Sequence, residues 1–133
     1  MQMNDTLKTL ITQLQPIFTR YKDQIVFCYC FGSLATNNYS GNSDVDLAFY
    51  VYPEFVNYDL KLNLYADCSR ALMRNDIDII ILNDLKNLIL SESIVRYGIL
   101  LYESNKDERT SYEIKTIHNA IDFRYQRKLV MGV

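Results

Sequence analysis

The chain has 133 residues, enough for one domain that buries roughly two-thirds of its unfolded surface without a disulfide or metal staple. Its 49% hydrophobic and 23% charged content excludes a mostly disordered chain. Fourteen Lys and Arg against sixteen Asp and Glu leave a net charge of -2. That balance argues against holding nucleic acid mainly by its phosphates, so no direct nucleic-acid partner is expected, and any phosphate handled here calls for a metal ion to bring positive charge.

In chain order, Asp5 to Tyr21 places Leu7, Leu10, Ile11, Leu14, Ile17, Phe18 and Tyr21 at helical spacing, with Pro16 expected to kink or restart the helix. Ile25 to Phe31 is predicted as a strand from its β-branched and aromatic content. A polar loop with one helical turn is expected over Gly32 to Ser43. Asp44 to Val51 alternates as a second strand and stops near Pro53. Tyr58 to Arg74 reads as a helix, and Ile77 to Leu82 as a third, buried strand. Asp84 to Tyr97 reads as a helix capped by Gly98, Ile99 to Tyr102 as a fourth strand, and Asp107 to about Leu129 as a last helix. On that helix Ile114, Ile117, Ile121 and Tyr125 fall on one side.

The order α-β-β-α-β-α-β-α predicts a single α/β (α+β) domain over residues 1–133, with a mixed, mostly four-stranded sheet flanked by helices. The longest apolar runs, Ile25 to Phe31 and Ile79 to Leu82, are too short to span a bilayer, and Asn4 and Asp5 open a polar start with no signal-peptide core. No membrane partner is expected, and the compartment is read as the cytoplasm. Cys28, Cys30 and Cys68 read as small core hydrophobes. The first two are neighbours on one strand face, where disulfide geometry is rare, and a single histidine argues against a zinc site.

The residues that carry chemistry gather around the second strand. Gly32 and Ser33 end the first strand, and ten residues later come Asp44, Val45 and Asp46. A strand repeats every two side chains, so Asp44 and Asp46 point to one face, where two carboxylates repel unless a cation sits between them. Magnesium takes hard oxygen ligands and binds through one or two carboxylates plus substrate phosphates. Gly32 lets a phosphate approach the backbone, a helical turn from Ser33 presents N–H groups to it, and the Ser33 hydroxyl adds a donor. Two-metal phosphoryl chemistry needs a third ligand or base. Asp78, inside an isoleucine strand where an unpaired charge is costly, is the candidate; Asp76, at the strand's polar entrance, suits turn or edge duty.

The spacing Gly32-Ser33, ten residues, Asp44-x-Asp46, followed by Ile77-Asp78-Ile79 and Gly98-Ile99-Leu100-Leu101-Tyr102-Glu103, resembles the minimal nucleotidyltransferase family of the DNA-polymerase-β-like superfamily. The resemblance covers residues 5 to 103 and implies a nucleotidyltransferase domain. It also implies two Mg2+ ions on Asp44 and Asp46, Asp78 completing the site as ligand and general base, and Gly32 and Ser33 holding the phosphates of ATP. The chain departs from many relatives at Thr36 and Asn37, where they carry Arg and Gly; Asn37 can still adopt a left-handed turn. Within the family the resemblance is strongest to the antitoxin half of HEPN/MNT toxin–antitoxin pairs. It implies a protein adenylyltransferase that moves AMP to a tyrosine of a HEPN ribonuclease toxin, and a hetero-oligomer with it.

The chain's length independently favours an acceptor that docks from outside, since larger nucleotidyltransferases grip theirs with a second domain. Two rival functions are a small-molecule, antibiotic-type nucleotidyltransferase and a non-catalytic antitoxin that acts by occlusion. His118 is expected to be an exposed or packed helical residue rather than a catalytic one. Phe123 to Lys128 mixes aromatics with cations. This suits equally a partner-binding tail within residues 107–133 and a helix end with cations set against its dipole.

Overall fold

The computed structural model describes residues 5–35 and 44–131. Its elements are α1 (Asp5–Arg20), β1 (Ile25–Phe31), β2 (Val45–Val51), α2 (Leu60–Leu72), β3 (Ile77–Ile81), α3 (Leu88–Tyr97), β4 (Ile99–Glu103) and α4 (Lys106–Met131). Short 3-10 turns occupy Gly32–Leu34, Pro53–Phe55 and Leu82–Asp84. The four strands form one mixed sheet in the order β3-β2-β1-β4. β1 runs antiparallel to both β2 and β4, and β2 runs parallel to β3 because α2 carries the chain back over the sheet. The element order and the α+β class are those the sequence implies. The loop expected up to Ser43 is described only as far as Ala35, and Thr36 and Asn37 lie outside the described residues.

Alternation along the strands sorts the core into two layers. Val45, Leu47, Phe49 and Val51 of β2, with Ile77, Ile79 and Ile81 of β3, pack against Leu7, Leu10, Leu14, Ile17 and Phe18 of α1 and Leu64, Cys68 and Leu72 of α2. On the opposite face Phe27, Tyr29, Ala48 and Leu82 pack under Ile94 of α3, with Tyr50 and Tyr112 joining them. Phe27 stacks on Tyr50 at 5.1 Å between ring centroids and lies 5.3 Å from Tyr112. A register shift in β1 between Ile25 and Phe27 lets Val26 and Phe27 both face this second layer. Cys28, Cys30 and Cys68 are buried free thiols in the first layer, and burial pushes Cys30 and Cys68 up to about 12. Among the described residues no helix is long and apolar enough to cross a membrane.

Three local expectations are corrected. Of the kink or restart expected at Pro16, the restart does not occur: α1 is one helix through it. Pro16 is exposed, so the Thr12 carbonyl that loses its donor can turn to water, while Leu14, Ile17 and Phe18 pin the helix on either side. α2 is shorter than expected and stops at Met73, which takes a left-handed conformation at φ 55°. The Arg74 N–H then closes on the Ser69 carbonyl at 3.1 Å, and the Ser69 hydroxyl donates to the Arg74 carbonyl at 2.6 Å.

α3 does not begin at Asp84. The Asn83 side chain instead bonds both the N–H and the carbonyl of Val51, at 3.0 and 2.8 Å, extending the edge of β2. The helix starts only where the Asn87 side chain accepts from the Leu90 N–H. The apolar side of α4 lies where the sequence puts it, but it is not the packed side. Thr116 and Ala120 are buried, whereas Ile114, Ile121 and Tyr125 are exposed.

α4 is fixed to the sheet by polar side chains. The Tyr29 hydroxyl donates to Glu113, and Arg109 bridges Glu113 and Glu103. Further along, the Arg124 guanidinium forks onto Glu92 of α3, which also accepts from Arg96 at 2.9 Å. These two cations, Arg124 first, hold the Glu92 carboxyl down to about 2.

Gly98 closes α3 as expected, but in extended backbone rather than a left-handed turn; crowding is what requires it. A Cβ there would lie 2.4 Å from the Ile94 carbonyl oxygen and 3.3 Å from that of Cys30. Gly98→Ala is therefore expected to destabilise the fold by about 1–3 kcal/mol. Equilibrium urea unfolding checks this, and an unchanged midpoint would contradict the close approach.

Candidate active site

β2 is the central support of the site. Its odd positions are locked into the α1/α2 core, so Asp46 must face the other side, in line with Ala48 and Tyr50. Asp44 lies directly before the strand and is exposed. On one side Asp46 pairs in register with Phe31 of β1; on the other, parallel pairing sets it directly beside Asp78. Cβ atoms of such neighbours stand about 5 Å apart.

Gly32, just past the end of β1, has φ +76° and presses against the same carboxylate: a Cβ on it would lie 2.2 Å from Asp46 Oδ2. Ser33 follows in the 3-10 turn that the Ala35 N–H closes onto the Gly32 carbonyl. The sheet thus brings Gly32, Asp46 and Asp78 together, with Asp44 and Ser33 flanking them.

The burial expected of Asp78 is not found. Asp78 is exposed, because β3 is an edge strand whose Ile77, Ile79 and Ile81 take the buried face and leave the alternate face open at this end. What singles it out is register. Asp76 has a different occupation: its carboxylate pairs with the Arg74 guanidinium at 2.5 Å, which holds its carboxyl below the usual range, and its carbonyl accepts from the Val45 N–H. The Arg74–Asp76 pair, two residues apart at the mouth of β3, went unrecognised in the sequence; its signal was a cation and an acid flanking a turn.

Electrostatics mark Asp46 as the centre of the group. Burial raises its carboxyl above the usual range, and the charges of Asp78 and then Asp44 raise it further. Among the described residues no Lys or Arg forms an ion pair with any of the three acids. A cleft of about 590 Å3 lined by Tyr50, Asn83, Tyr112 and Lys115 lies on the same sheet face, toward the far end of β2, and does not include the acids.

A family model described as polymerase beta, nucleotidyltransferase matches residues 12–107, the span that holds all of these groups. The chain belongs to this family. No curated protein sequence matches it. Among solved structures, this nucleotidyltransferase is similar to a chain from a toxin–antitoxin with AMP-PNP, at 19% identity and a TM-score of 0.76, covering 92% of this chain and 95% of that one. It is also similar to a chain of the MntA–HepT toxin–antitoxin, at 18% identity, TM-score 0.71 and coverage of 94% and 96%. A third similar chain comes from the tri-AMPylated Shewanella oneidensis HEPN toxin in complex with MNT antitoxin, at 17% identity, TM-score 0.72 and coverage of 95% and 96%. At such identities the likeness is one of fold.

Nucleotidyltransferases of this fold work with a divalent cation, and the donor set here suits magnesium. Asp44, Asp46 and Asp78 supply only hard oxygen, and a cation would relieve the repulsion that raises Asp46. As the side chains stand, no three acidic, His or Cys residues among those described converge on one point. With Cβ atoms about 5 Å apart, rotation of the Asp46 and Asp78 side chains is enough to bring their oxygens to a shared ion.

A carboxyl with a raised pKa stabilises the fold only while protonated, so wild-type stability falls as pH rises through that value. Asp46→Asn removes this loss. At neutral pH in metal-free buffer its thermal midpoint is expected above that of wild type. Adding Mg2+ is expected to raise the wild-type midpoint and leave the variant's unchanged. A variant below wild type in calorimetry would mean that Asp46 has a stabilising partner.

Gly32→Ala tests the close approach separately. The added methyl displaces the Asp46 carboxylate, and nucleotide transfer is expected to fall at least about tenfold while circular dichroism stays native.

Proposed function

We propose that this nucleotidyltransferase is an antitoxin that transfers AMP from ATP to a tyrosine hydroxyl of a partner HEPN ribonuclease toxin, releasing pyrophosphate and silencing the toxin. The observation that carries the reading is the register pairing of Asp46 with Asp78 beside Gly32, which puts a phosphate-approach point and a carboxylate group at one end of the sheet. Its support from other proteins is the fold shared with chains whose structures are described as a toxin–antitoxin with AMP-PNP and as a tri-AMPylated HEPN toxin with its MNT antitoxin.

In this reading Gly32 admits the triphosphate against the backbone, and the Ser33 hydroxyl donates to a phosphate oxygen. Asp44, Asp46 and Asp78 would hold two Mg2+ ions, which when bound supply positive charge to the phosphates and to the departing pyrophosphate. Asp78, exposed at the sheet edge, is open to an incoming hydroxyl, and it takes that proton. The hydroxyl oxygen forms a bond to the α-phosphorus, and the bond from the α-phosphorus to the bridging oxygen of pyrophosphate breaks.

The partner docks on the terminal part of α4. The packed face of that helix continues past the body as Phe123 and Val130, seven and fourteen residues after the buried Thr116, and both are exposed. Arg127, seven after the buried Ala120, adds a cation to the same face.

Intact mass spectrometry of the partner after incubation with this chain, ATP and Mg2+ is the test. A partner mass raised by one or more AMP units, lost with Asp44→Ala/Asp46→Ala, is expected. An unmodified partner in a stable complex would replace transfer with occlusion, and an adduct on aminoglycosides alone would point to a small-molecule enzyme.

A further inference from the structure

α4 carries a second unpartnered face, distinct from the one assigned to the toxin. Ile114, Ile121 and Tyr125 are 54%, 48% and 63% exposed. At about 100° per residue they lie about 140° around the helix from the buried Thr116 and Ala120, so they point away from the body. The stripe has the seven-residue period of a helix–helix seam: Asp107, Ile114, Ile121 and Lys128 are spaced by seven, and all four are exposed. It begins on an acid and ends on a base.

We propose that this stripe pairs with the same stripe of a second copy of the chain, antiparallel about a two-fold axis. The axis passes between Ile117 and His118. Asp107 of each copy then faces Lys128 of the other at both ends of the seam, and Ile114 faces Ile121 twice in the middle. Thr110 falls opposite Tyr125. Such an interface is self-complementary and closes as a dimer.

Charge chooses both the occupant and the direction. A parallel pair would set Asp107 on Asp107 and Lys128 on Lys128, whereas the antiparallel pair opposes unlike charges about 31 Å apart along the helix and also opposes the helix dipoles. The bodies do not obstruct it, because each lies on the far side of its own α4. The seam uses neither the acids of the active site nor Phe123, Arg127 and Val130, so dimer formation stands or falls independently of AMP transfer.

Sedimentation equilibrium of the full chain alone, at concentrations up to roughly 300 µM, is the test, chosen to capture a weak interface. The weight-average mass is expected to rise toward twice that of one chain. Ile114→Glu and Ile121→Glu are each expected to weaken association at least tenfold with unchanged circular dichroism, since both side chains are already exposed. Asp107→Lys and Lys128→Asp are each expected to weaken it, and the double variant to restore it. A wild-type chain that stays monomeric overturns the proposal. So does a dimer indifferent to both isoleucine variants. A monomeric chain whose isoleucine variants lose the toxin partner also overturns it, giving the stripe to that partner instead.

Discussion

The alternating burial of β2 is the constraint on which the rest of the molecule depends. Val45, Leu47, Phe49 and Val51 are each at most 2% exposed, and together they bind the strand to the α1/α2 layer. Slipping the strand by one residue would bring Asp44, Asp46 and Tyr50 into that layer, at a cost no pairing gain could offset. With the register fixed this way, Asp46 has nowhere to go but the opposite face, between Phe31 and Asp78. The hydrophobic side of the strand thus holds in place a set of like charges that would otherwise move apart.

The same logic explains why the site is poor in internal compensation. Where an acid here serves structure, it has a cation: Asp76 has Arg74, Glu92 has Arg96 and Arg124, and Glu103 and Glu113 share Arg109. Asp44, Asp46 and Asp78 have no ion pair among the described residues, and the carboxyl of Asp46 is raised while those of Asp76 and Glu92 are lowered. Direction alone does not separate the two kinds, because burial also raises Glu113 beside Arg109; what sets the three acids of the site apart is that they cluster with no ion pair among the described residues.

α4 belongs half to the fold and half to whatever meets it. Its first turns are tied to β1 and β4 through Tyr29, Glu103, Arg109 and Glu113, and the Arg124–Glu92 fork fixes its direction near the point where it leaves the body. Beyond that fork lie apolar residues on two faces with cations among them. Hence a helix of this length forms without being consumed by the core it packs on.

Much of this was legible in the chain. Period-two alternation gave β2 and the shared face of Asp44 and Asp46, because each strand residue reports its own side. The Gly32-Ser33 turn at the end of an apolar run marked a close approach, which the structure directs at Asp46. Asp78 was selected by a burial argument that its exposed position contradicts, because edge or centre is a property of the sheet order rather than of the strand. The α4 stripe was equally visible, but not its surroundings: helical period shows that a face is apolar, not which neighbour covers it, and Tyr112, Thr116 and Ala120 won the packed side by fitting against α3 and the aromatic layer. The sequence by itself determined the order of the elements and which acids are the candidates. Tertiary structure alone decided which strands became neighbours, and therefore which carboxylates meet, since strand pairing depends on contacts between segments far apart in the chain.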